Sequence, residues 1–159
     1  MSRAGIVLPR LRDVCTTALA GIKPPVEVFL GPIVSGDPED AFFVGYDGDP
    51  YGEMEAVVHT QDWGAIGNKA RDEEFDVRCC ILNRSGQDDA DGIAAAITRM
   101  YAMFDAIASA IHGDPSIGLG PPTTAIMLCS IRGLASFMTL TPNGVEPRVS
   151  FNVHVRTRI

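Results

Sequence analysis

Between Pro147 and Ile159 the chain alternates without a break. Val149, Phe151, Val153 and Val155 fall on one parity, and Arg148, Ser150, Asn152, His154 and Arg156 on the other. Side chains of a strand point to opposite faces at period 2, so this segment is a strand with one apolar and one polar, basic face. An apolar sheet face is stable only beneath a second layer. The segment from about Asp89 to His112 supplies it. Ile93, Ala96, Ile97, Met100, Tyr101, Phe104, Ile107, Ala108 and Ile111 recur at three- and four-residue steps and make one helical stripe. Such a helix is about 35 Å long, enough to cross a whole sheet. Asp88 or Asp89 caps its start and Gly113 ends it.

The remaining elements fit the same plan. A first helix is expected from about Pro9 to Ile22, stopped by Gly21 and Pro24-Pro25. Short strands are expected at Val26 to Leu30, Ala41 to Tyr46 and Ala56 to Thr60, and a strong one at Glu73 to Leu82, where Phe75, Val77, Cys79 and Ile81 alternate with polar residues. Gln61 to Asp72 reads as an exposed loop. Trp63 within it is either a buried anchor or an interface residue, a role in which Trp is enriched. After Asp114-Pro115, three strands are expected at Thr124 to Ile131, Leu134 to Leu140 and Glu146 to Thr157. Gly133 and Pro142-Asn143-Gly144 are expected to make the turns. The fold class is α+β: a two-layer domain spanning 1–159, with a mostly antiparallel sheet and both helices on one face. A hydrophobic share of 46% is ordinary for such a domain, and no apolar run reads as a membrane span or signal peptide, which points to synthesis in a cytosol.

No catalytic arrangement emerges. His59, His112 and His154 lie in separate elements, with no sequence-level partner for general-base work. Cys15, Cys79, Cys80 and Cys129 lack metal-site spacing and read as reduced, structural thiols. Gly118-Leu119-Gly120 opens like a dinucleotide loop, but Pro121-Pro122 and a strand follow where a helix is required. Asp88, Asp89 and Asp91 resemble the start of a calcium loop, yet the ligand at position 12 is missing and helix capping explains them better. We therefore expect no cofactor, no metal and no enzyme activity.

Charge is the more informative signal. The net charge is −7, and from Pro24 to Asn68 there is no Lys or Arg, while Asp37, Asp47, Asp49 and other carboxylates crowd that stretch. Lys69 and Arg71 follow it, and Arg148, Arg156 and Arg158 mark the closing strand. These groups are either solvated faces or acidic and basic surfaces of neighbouring copies that meet. The 13 basic residues are too scattered for a nucleic-acid reader.

From Trp63 onward the order of features resembles a known family. Trp63 and Gly67 lie in a loop, Glu74-Phe75-Asp76-Val77 opens a strand, and the long helix follows. Asp114-Pro115-Ser116-Ile117-Gly118 is similar to a D-P-x-L-G turn, and Gly144-Val145 leads into V-x-F-x-V-x-V and Arg156-Thr157-Arg158-Ile159. The set resembles the tail terminator proteins of long-tailed bacteriophages, the lambda-type minor tail group; Gly36 to Tyr51 departs from that pattern. The resemblance implies a homohexameric ring in the virion. The ring would cap the tail tube, end its polymerisation and present the tail to the head-completion protein, with DNA only passing through its lumen and no membrane contact. Its candidate interface residues are Trp63, Lys69, Arg71, Asp37, Asp47, Asp49, Arg148, His154, Arg156 and Arg158. The acidic stretch and the last-strand arginines would form opposite faces of a heterologous contact. A head–tail connector or neck adaptor is the alternative. Less favoured is a small ligand-binding domain or enzyme with a pocket between Gln61–Asp72 and Gly118–Pro122.

Overall fold

The computed structural model describes residues 2–32, 39–49, 55–63, 71–84, 86, 88–120 and 127–158, with the backbone alone for 61–63, 71 and 127. It contains α1 (Ala4–Leu19), β1 (Glu27–Leu30), β2 (Asp40–Val44), β3 (Val57–Trp63), β4 (Arg71–Asn83), α2 (Ala90–Gly113), β5 (Met127–Thr141) and β6 (Gly144–Arg158). The architecture is the expected α+β one, with a six-stranded sheet in the order β1-β2-β4-β6-β5. One edge of β4 is filled by β6. The other edge is shared: β3 pairs with Arg71–Val77 and β2 with Cys79–Asn83. All neighbours are antiparallel except β1 and β2. Because β4 and β5 each run against β6, they are parallel to one another, joined through α2 with β6 inserted between them.

The alternating residues do what period 2 demands. Phe75, Val77, Cys79 and Ile81 of β4 and Val149, Phe151, Val153 and Val155 of β6 are buried under the helices. Leu11, Cys15 and Leu19 come down from α1, and Met100, Met103, Ile107 and Ile111 from α2. Phe151 is the hub: its ring stacks on Phe42 at 6.0 Å and meets the edge of Phe104 at 5.2 Å. Each fully buried Phe, Leu or Ile contributes about 1.5–3 kcal/mol, so this face dominates stability. By length and composition α2 would pass as a membrane-crossing helix. Its one apolar face is spent on the sheet, however, and the opposite face carries Asp91 and Asp105.

Several expectations need correction. The helix α1 begins at Ala4, not Pro9, although Pro9 inside it cannot donate to a carbonyl one turn back. Its exposed first turn is satisfied from across the fold, where Arg3 N donates to Glu73 Oε2 at 2.8 Å. Gln61 to Trp63 belong to β3, and Arg71 and Asp72 to β4; 64–70 lie outside the described residues. The two strands expected around Gly133 are one 15-residue strand, β5. Gly133, at φ +65°, sits in a bulge where the β5–β6 register jumps from Arg132 to Ala135. Backbone of that kind admits an extra residue without reversing the chain. In the helical stripe, Met103 is buried, whereas Tyr101 is exposed and its hydroxyl meets Ser136 Oγ of β5.

The D-P-x-x-G turn ties three elements together. Asp114 Oδ1 accepts from Ser116 N at 3.1 Å and Oδ2 from Gly118 N at 2.7 Å. Ile117 takes a left-handed φ of +48° and buries its side chain completely. Arg10 Nε of α1 donates to Ile117 O at 2.7 Å, and Pro115 O accepts from Cys129 N of β5 at the same distance.

Candidate interaction surface

The polar parity of the sheet faces away from the helices, and it is a ladder of compensated charge. The register places Asp72 opposite Arg158, Glu74 opposite Arg156 and Asp76 opposite His154. Arg158 Nε donates to Asp72 Oδ1 at 2.8 Å, Arg156 Nε lies 3.2 Å from Glu74 Oε1, and His154 Nδ1 lies 2.8 Å from Asp76 Oδ1. The hydrogen bond from Arg158 holds the Asp72 carboxyl below its usual range. Arg78, further along β4, is within 3.6 Å of Glu55. His154, Arg156 and Arg158 of the basic face seen in the sequence of β6 are thus matched with carboxylates of β4 in the same subunit, whereas Arg148 lies opposite Leu82. Sequence reading missed this because strand pairing between segments about 80 residues apart is not legible from either segment alone.

Arg148, Asp47 and Asp49 were expected on opposite faces of a subunit. They line one cavity of about 360 Å³ on this outer face, together with Arg78 and Asn152. The loop from Gly45 to Asp49 folds over the sheet here. Ser150 Oγ donates to Asp47 O at 2.9 Å, and Gly48 approaches so closely that a Cβ would lie 2.5 Å from Cys80 Sγ. Beneath it Ala41, Phe43 and Cys80 form a second, small core, joined by Phe29 and Tyr46. The Arg148 guanidinium stacks over the Phe137 ring at 4.7 Å, and its Nε has no hydrogen-bond partner. Asp37 and Lys69 lie outside the described residues; for Trp63 and Arg71 only the strand backbone is described. The pocket expected between Gln61–Asp72 and Gly118–Pro122 rests largely on 64–70 and 121–126, also outside them.

The four described cysteines are free and buried, Cys79 on the helix side and Cys80 on the outer side of β4. Burial pushes the thiols of Cys15, Cys80 and Cys129 up to about 12, far from thiolate chemistry at neutral pH. Among the described residues no group of His, Cys, Asp or Glu is arranged to hold a metal ion.

One surface was not anticipated. Among the described residues β5 is the last strand of the sheet, and none of them pairs along its outer edge. It carries Leu128, Leu134, Phe137, Met138 and Leu140 exposed, the last at 83%. A long, open, apolar edge is a template for pairing with another chain, which proteins ordinarily blunt with charge or proline. β5 has no Asp, Glu, Lys or Pro, and Arg132 is its one charge. The sequence signal was present, in apolar residues on both parities, but which strand lies at the edge of a sheet is not written in that strand. No protein-family model matches this chain, and no curated protein matches it in sequence.

Proposed function

We propose that this chain is a structural virion subunit of the tail-terminator kind, which assembles with copies of itself into a ring that caps a phage tail tube and presents it to the head. The reading rests on the ordered motifs from Trp63 to Ile159, and the single structural observation supporting it is the open apolar edge of β5. Exposed apolar area of this kind marks a site of protein association. Because Arg156 and Arg158 are compensated by β4 carboxylates within the subunit, the reading favours the sheet edge over these arginines as the assembly surface. Native mass spectrometry and negative-stain electron microscopy of the purified protein, with and without tube protein, provide the test. A closed ring that binds tube protein is expected. A strict monomer at high concentration under both conditions overturns the proposal, and a ring that binds a portal-side adaptor but not the tube reassigns the subunit to the neck.

A further inference from the structure

The open edge of β5 needs an occupant, and the far end of the same sheet supplies one of matching level, face, polarity and charge. Across the sheet Leu30 is level with Val44, Cys79 and Phe151. On β5 the residues level with Phe151 are those in the bulge, Gly133 and Leu134. Leu30 and Leu134 therefore occupy one row at the two ends of the sheet. Both also lie on the helix side: Leu30 shares the face of buried Val44, and Leu134 that of Ser136, which meets Tyr101 of α2. Both are exposed, at 46% and 47%.

Strand direction agrees. β1 runs against β4, and β5 runs with it, so two copies placed side by side bring β5 of one against β1 of the next in antiparallel fashion. Charge agrees as well. Between Pro24 and Asn68, which includes β1, there is no Lys or Arg, whereas β5 carries Arg132 and no carboxylate, so no like charges oppose the contact, although Glu27 and Arg132 lie four rows apart. Among the described residues neither Arg132 nor Glu27 of β1 makes an ion pair.

We infer that copies of this chain associate head to tail through their sheet edges, β5 of one subunit extending the sheet of the next at β1. The inference rests on the self-assembly reading above and names its interface. Two different edges meet, so the contact is heterologous: it excludes a twofold dimer and gives a ring where the rotation between subunits closes and an open filament where it does not.

Cysteine cross-linking separates the possibilities, since the native cysteines are buried. Mixing the single variants Leu30→Cys and Leu134→Cys under mild oxidation should give a covalent dimer and nothing larger. The double variant should give a ladder with loss of the monomer band, and neither single variant alone should cross-link. Self-linkage of Leu134→Cys alone means two β5 edges pair about a twofold axis and overturns the inference. Wild-type rings without cross-linking of the mixed variants overturn it too, while leaving the ring reading intact. A strictly monomeric wild type removes both. Should the substitutions themselves prevent assembly, hydrogen exchange on the wild-type protein decides. Assembly must slow amide exchange in β5 together with β1, and slowing in β5 alone refutes the inference.

Discussion

At the scale of single residues, stability is concentrated in a few polar groups that bind distant parts of the chain. Asp40 is nearly buried and accepts from Asn83 Nδ2 at 2.6 Å and Arg99 Nε at 2.7 Å, while Arg99 also donates to the carbonyls of Lys23 and Pro24 at 2.6 Å each. One guanidinium thus joins α2, β2 and the α1–β1 connection. Removing one partner of a buried pair leaves the other uncompensated, at about 3–5 kcal/mol, and the partial exposure of Arg99 reduces that. Arg99→Ala is expected to cost about 2–3 kcal/mol, read as a lower urea midpoint at unchanged m-value. Asp114 gives a pH-dependent contribution. Bonds from the Ser116 hydroxyl and the Gly118 and Ser116 N–H groups hold its carboxyl below the usual 3.8. A depressed folded value means the turn is stabilised above that pH and loses the contribution as pH falls through the lower, folded value. Titration by NMR should place the Asp114 midpoint below that of an unfolded control, and Ser116→Ala should move it back up.

At the scale of elements, β5 and its bulge carry the most consequence. A non-glycine residue in left-handed backbone costs roughly 1–2 kcal/mol. Gly133→Val should therefore destabilise the β5–β6 hairpin by about that much, and hydrogen exchange should show faster opening in β5 than in β4. The cysteines supply a complementary probe of the core elements. With thiols raised to about 12 and buried, Cys15, Cys80 and Cys129 should resist alkylation at pH 8 until the chain unfolds. Labelling before unfolding would mean that α1 or β5 opens locally.

At the scale of the whole molecule, one sheet has a helix-covered face, a largely charge-compensated face and, among the described residues, two end strands with no further strand beside them. Leu140, 83% exposed at the end of the hairpin, contributes little to the monomer's own core. Leu140→Lys should leave thermal stability within about 0.5 kcal/mol while making the protein more soluble and less prone to self-association in sedimentation. A large drop in stability would mean that this residue is buried in the isolated subunit after all.

The strands at Phe75 to Ile81 and Val149 to Val155, the long helix, its cap at Asp88 or Asp89 and the two-layer architecture were all legible in the sequence, and the structure assigns the cap to Asp89. They follow from periodicity and capping, which are local, and from the need to cover an apolar face. Three other features were decided only by tertiary structure. The first turn of α1 depends on a carboxylate 70 residues away, Glu73. The arginines of β6 stopped being a free basic face once β4 lay beside them with its carboxylates in register. The double-sided apolar run of β5 became an edge because β6, and not β5, was inserted next to β4. Pairing order is set by the competition of all strands for partners, and no single segment contains that information.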